Sequence, residues 1–251
     1  MISDLTKGIT DYLQAFELIN KLRLWKFVLI VGFMSTILGF GLFYSGYFLL
    51  DTFSSSLQEL YPFDWGKEHI ASVIKYLGLA ILFLTGIFFY KYLIFILFVP
   101  FLGYLSEKIE EDLTGRPAGY SFLNVLRLLK DIFRGLRISI RLIYKEMIWL
   151  ILLFLLGLFP LFTPLIPIFA FIIQSFYAGY GNFDWALERF YNVRGRISFV
   201  SRNRSLTLGN GIAFMALLSI PLIGFFLAPV LSVGAATISV IDRLKKENLM
   251  Q

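Results

Sequence analysis

The sequence predicts an all-α integral membrane protein. It has two long transmembrane helices, two proline-broken helical hairpins that penetrate only part of the bilayer, and an amphipathic N-terminal helix. Three observations predict it. Charged residues supply 16% of the 251 positions, where a soluble domain carries about a quarter. Uncharged runs of membrane-spanning length recur along the chain. The turns inside the last two runs are apolar and rich in proline, whereas a turn emerging into water carries Asp, Asn, Ser or charge.

The opening MISDLTKGITDYLQAFELIN mixes polar, acidic and basic residues. It lacks a short apolar core followed by a small-residue cleavage site, so a removable signal peptide is not expected. The first span runs uncharged over 27–50, between Lys26 and Asp51. That length makes about 36 Å of helix, enough for a ~30 Å hydrocarbon core. Ser35 with Gly39, and Gly41 with Ser45, put small residues on its faces and permit close packing. A polar segment, 51–75, follows with Pro62, Asp64 and Glu68. The next apolar run, 76–106, is interrupted only by Lys91, and the second span, entering near Ser72, covers about 72–106. About 20 residues of helix bring Lys91 to the far interface, where it snorkels. The alternative is a buried charge lining an ion path. On the snorkelling reading, residues 92–106 project beyond the bilayer and need a protein partner.

Residues 107–146 form a basic amphipathic region. Leu126, Leu129, Ile132 and Phe133 recur at helical spacing, with Arg127, Lys130, Arg134 and Arg137 between them. Such a helix lies on an anionic membrane surface or packs on the rest of the protein. Two uncharged runs of equal length follow, 147–183 and 205–241. Pro160, Pro164 and Pro167 break the first; Pro221 and Pro229 break the second. Most of their arms (147–159, 168–183, 205–220, 230–241) fall short of the ~20 residues a crossing needs. Each run is therefore expected to fold back as a hairpin whose tip stays in the membrane or against other helices. Four complete crossings are the competing arrangement.

Charge asymmetry orients the chain. Lys7, Lys21, Arg23 and Lys26 lie in the N-terminal part, and 107–146 carries eight basic residues. Residues 184–204 carry five, the tail three, and 51–75 only two. Both termini and both basic linkers are thus expected to be cytoplasmic, and the net charge of +6 calls for no nucleic-acid partner. The chain has no Cys, so disulfides and thiol chemistry are excluded. His69, the single histidine, sits beside Lys67 and Glu68 in a polar segment and is expected to be solvated. There is no G-x-x-x-x-G-K-S/T loop, no Ser/His/Asp arrangement, no metal cluster and no carboxylate inside an apolar run. An enzyme, a cofactor, ATP-driven transport and a carboxylate proton relay therefore find no seat. A passive, channel-like anion path remains, with basic entrances that concentrate anions and helix ends that replace part of their hydration. The alternative is a non-transporting, membrane-shaping or scaffold protein that uses the hairpins as wedges.

Three segments carry a family resemblance. They are LGNGIAFMALLSIPLIGFFLAPVLSVGAATISVID (208–242), PFLGYLSEKIEEDLTG (100–115) and the FVLI start of the first span. In this order they resemble the CysZ sulfate-permease family, which shares a domain with the etoposide-induced membrane proteins of eukaryotes. The resemblance covers about 16–242, which treats 1–251 as a single membrane domain. It implies an inner-membrane protein admitting sulfate for cysteine synthesis and assembling as a homo-oligomer among membrane lipids. It also implies two long helices and two pairs of shorter, partly penetrating ones. Family members typically bind sulfate at a Gly-hydrophobic-Arg-Arg turn opening the first long helix, where free N–H groups and the positive dipole end hold an anion. Here that segment is KLRLWKFV, 21–28. Trp25 and Lys26 take the paired-Arg positions and Arg23 the glycine's. The resemblance thus makes Arg23, Trp25 and Lys26 the anion-binding candidates; the bland account makes them interface anchors. Glu107 and Lys108 are candidates for a charged network beneath a pore, or belong to a solvated helix face. Arg202 and Arg204 either attract anions or are ordinary cytoplasmic charges. Gln174 and Asn210, polar within uncharged runs, are candidates for pore lining or interhelical hydrogen bonding.

Overall fold

The computed structural model describes residues 2–60, 86, 88–117, 125–159, 161–220 and 222–247. Within them the chain is helical, without a strand: α1 (Ile2–Lys21), α2 (Trp25–Leu60), α3 (Phe88–Leu97), α4 (Val99–Thr114), α5 (Val125–Gly157), α6 (Ile166–Leu187), α7 (Val193–Arg202), α8 (Arg204–Leu218) and α9 (Ile223–Lys246). The stretch 61–75, with Pro62, Asp64, Glu68 and His69, lies outside the described residues, as do Pro160 and Pro221. By length and composition α2, Thr163–Leu187 and α9 can each cross a membrane, and the bent pair α3–α4 adds a fourth candidate. The chain is an all-α membrane protein.

Each helix buries one stripe. α1 buries Gly8, Asp11, Tyr12, Ala15 and Ile19, three or four residues apart, which makes a single inward face. α2 buries Val28, Val31 and Ser35 while Phe33, Ile37, Phe40 and Tyr44 stay exposed, the partition of a helix with one face on its bundle and the others on lipid. It remains helical to Leu60, past the Asp51 where a polar connection was expected.

Three expectations are corrected. The second span does not run straight: α3 and α4 meet at a 74° bend, and Pro100 in the first turn of α4 loses no helical hydrogen bond there. Residues 92–106 therefore fold back on the chain itself. Leu102, Leu105 and Ile109 are buried, and the Ser106 and Thr237 hydroxyls pair at 2.7 Å, tying α4 to α9. The basic amphipathic helix and the first hairpin arm are one helix, because α5 continues unbroken through Met147 to Gly157. Finally, the arms are not all short: α6 has 22 residues and α9 has 24, since Pro229 lies inside α9 rather than at its start.

Why Pro229 is tolerated is visible one turn earlier. Proline has no N–H for the carbonyl four residues back, so the Phe225 carbonyl is released. It accepts the Ser35 hydroxyl from α2 and the Tyr90 hydroxyl from α3, the latter at 3.2 Å. A broken helical bond thus becomes two ties between helices, the way a helix in lipid accommodates proline. Of the paired small residues in α2, Ser35 and Gly39 face α9 at Phe225, whereas a Cβ on Gly41 would meet nothing within 4 Å among the described residues.

Closest approach occurs where α8 lies between α1 and α6. A Cβ on Gly211 would stand 1.7 Å from the Ser175 carbonyl oxygen, and one on Gly209 would stand 2.1 Å from that of Leu5. Two glycines flanking Asn210 therefore let two backbones touch α8 on either side. At the bundle's end, Asp4 pairs with Arg243, and Lys7 bridges Asp11 at 2.9 Å and Asp242 at 2.7 Å. Burial pulls Lys7 down, but its hydrogen bonds to Asp242 and Asp11 more than offset this and hold its pKa above the ordinary lysine value. Both ends of the helical chain thus lie at one end of the bundle.

The Pro229 tie makes a prediction. Ser35→Ala should lower stability by about 1–2 kcal/mol, and by less in a Pro229→Ala background, where Phe225 regains its own partner. Thermal unfolding of the four-variant cycle in detergent checks this; equal costs in both backgrounds would refute it.

Candidate functional site

α3 presents Tyr90, Lys91 and Tyr92 in succession, and all three are buried. Lys91 is wholly inaccessible, which corrects the expectation that it snorkels at the interface. The 20-residue count took no account of the partners that α5 and α6 bring to the ammonium. Its ammonium donates to Glu146 Oε1 of α5 at 2.5 Å and approaches the Gln174 carbonyl of α6 at 3.5 Å. The Tyr92 hydroxyl donates to the other Glu146 oxygen. The Phe88 and Tyr92 rings stand 5.2 and 5.1 Å from the ammonium, within cation–π range. Glu146 is as inaccessible as Lys91. Beside the pair, Gln174 Oε1 and Ser175 Oγ are buried without a hydrogen-bond partner among the described residues.

A charge pair without exposure in an apolar bundle is held by mutual attraction plus extra hydrogen bonds, and removing one member costs about 3–5 kcal/mol. In a membrane protein such groups face a bundle interior and mark ion or substrate routes. Sequence reasoning missed Glu146 because it immediately precedes the uncharged run 147–183 and was counted with the basic linker. The usable signal was helical register. Glu146 continues the α5 face on which Ser139 and Leu142 are buried, three or four residues apart.

The other candidates occupy separate places. Asn210 is buried at the centre of four helices: it donates to the Ser232 carbonyl at 3.1 Å and accepts from Asn182 Nδ2 at 2.9 Å. Its carbonyl accepts the Tyr12 hydroxyl at 2.7 Å, and the Ser232 hydroxyl returns to Asn182 Oδ1 at 3.2 Å. Gln174 joins the Lys91 pair through its backbone. On α4, Lys108 pairs with Glu111 at 2.6 Å, Glu107 is half-buried, and Glu110 pairs with Arg189 of the stretch after α6. Arg202 and Arg204 are exposed around the α7–α8 junction, Arg202 at 3.9 Å from Glu247.

Arg23 and Lys26 are exposed and Trp25 half-buried at the α1–α2 junction. Arg23 has φ of 53°, the left-handed region that suits glycine. The turn thus has a glycine-like backbone although arginine occupies it. Trp25 is anchored by its indole N–H on Asn20 Oδ1 at 3.2 Å and by an edge contact with Phe16.

The buried pair makes a second prediction. Lys91→Met alone should cost about 3–5 kcal/mol, and Lys91→Met/Glu146→Met together should cost less than either single change. Detergent melting curves measure this; a double variant as unstable as the sum of the singles would contradict it.

A family model described as "Sulfate transporter CysZ/Etoposide-induced protein 2.4" matches residues 11–229. That match spans most of the chain, and the protein belongs to this family.

Proposed function

We propose that the protein is an inner-membrane permease that passes sulfate, or a chemically similar small oxyanion, passively toward the cytoplasm, where sulfate serves cysteine synthesis. The observation that carries this reading is the Lys91–Glu146 pair, buried without exposure in a family whose description names a sulfate transporter. An oxyanion leaving water needs replacement partners for its hydration. Lys91 is already desolvated and held in place by a carboxylate, two aromatic rings and a backbone carbonyl. An arriving anion competes with Glu146 for the ammonium and need not create a charge in the bundle. Arg23, Trp25 and Lys26 then serve as the basic approach, raising local anion concentration at the start of α2, and Arg202 and Arg204 add to the field.

Both termini are placed in the cytoplasm on the positive-inside rule, and their meeting at one end of the bundle supports an even number of passes. The α5–α6 and α8–α9 hairpins turn within the membrane. Leu158, Phe159 and Leu161 at the first tip are largely exposed and apolar, a composition that suits lipid contact. A homo-oligomer covers part of the apolar α2 face.

Radiolabelled sulfate influx into liposomes carrying the purified full chain tests this reading, with sulfite and chloride as selectivity arms. Influx should exceed that of protein-free vesicles and fall by about tenfold in Arg23→Gln/Lys26→Gln, the equivalent of ~1.4 kcal/mol on the rate-limiting barrier. No influx from folded protein would refute it, and vesicle deformation in that sample would favour the scaffold function.

A further inference from the structure

Between α5, α6 and the start of α7 lies a cavity of about 770 Å³ whose lining includes three arginines. Arg137 and Arg141 come from α5 at i, i+4 spacing, so they share one face. Arg196 comes from α7, and Tyr180 and Asp184 from the facing side of α6. Three cations against one carboxylate leave the cavity electropositive. Asp184 accepts from Arg196 Nη1 at 2.7 Å, which fixes that guanidinium. Arg196 is 7% exposed, yet its Nε is buried without a hydrogen-bond partner among the described residues. A buried N–H left unpaired is costly, and here it belongs to a side chain that lines an electropositive cavity. The remaining walls are mostly apolar side chains, which strengthen any ionic contact made inside.

We infer that this cavity binds the tetrahedral oxyanion group of a sulfate or phosphate, free in solution or as the headgroup of an anionic lipid. Planar guanidinium forks match oxyanion edges with paired N–H donors. Arg196 supplies a guanidinium that Asp184 holds in place, and Arg137 and Arg141, less buried, add two more on the α5 wall. Arg141 in its lining stands five residues along α5 from Glu146, about 7.5 Å of helix rise, so the cavity lies within a few turns of the buried pair. Its place on a transport route rests on the proposed permease function; its capacity to bind does not.

The test uses purified full chain in uncharged detergent. Equilibrium dialysis with labelled sulfate and inorganic phosphate forms one arm. Native mass spectrometry after doping with phosphatidylglycerol or phosphatidylcholine forms the other. Arg137→Gln/Arg141→Gln is the variant of choice because neither residue is deeply buried, and Lys246→Gln, at an exposed position in the tail, is the surface control. The expected result is oxyanion binding that weakens at least about tenfold in the double variant and is unchanged in the control. Binding of free ions assigns the soluble source, and selective retention of phosphatidylglycerol assigns the lipid source. Binding of neither, or binding equal in wild type and double variant, overturns the inference. Sulfate influx measured on the same samples separates the two claims. Flux without cavity binding refutes the cavity alone, and cavity binding without flux refutes the permease function alone.

Discussion

A lysine ammonium with no access to water, inside a bundle whose outer faces are apolar, is the constraint around which this structure is arranged. The charge survives there only because Glu146 meets it and because Tyr92, Phe88 and the Gln174 carbonyl complete its surroundings. Those partners come from three different helices. Bringing them together fixes how α3, α5 and α6 stand against one another, and the 74° bend after α3 keeps the following residues on the bundle.

The same demand that buried polar groups find partners operates at two other points. Pro229 frees a carbonyl in α9, and Ser35 and Tyr90 occupy it, joining α2 and α3 to α9. Asn210 links α6, α8 and α9 through a closed set of hydrogen bonds with Asn182 and Ser232, and Tyr12 adds α1. Gly209 and Gly211 make that centre reachable by removing the Cβ atoms that would hold α1 and α6 away. Little of this is hydrophobic sorting, because lipid is as apolar as the helix faces it solvates. Polar satisfaction and close backbone contact do the selecting.

What was legible in the sequence follows from this. Uncharged runs locate helices, so α2 and the two helical hairpins were visible, and the low charge content identified the solvent. Arg23 was visible as a basic residue ahead of the first span, but its left-handed backbone, φ 53°, was not. Distances counted along a span misplaced Lys91, because such a count is blind to Glu146 of α5 and the Gln174 carbonyl of α6, which hold the ammonium inside the bundle. Glu146 was hidden by its position at the edge of a run, where a charge next to water and a charge next to Lys91 look alike. Pro229 was taken for a helix end because proline usually is one; the hydroxyls that occupy the freed Phe225 carbonyl lie 190 and 135 residues from Phe225 in the chain.

The central claim is that Lys91 serves the passing anion and is more than a structural counterpart to Glu146. Sulfate flux through the Lys91→Met/Glu146→Met protein tests it most directly, because that variant removes the charges together and avoids stranding one of them. The account predicts a folded protein of wild-type oligomeric size whose sulfate flux falls about tenfold or more. Wild-type flux through the same folded variant would contradict it.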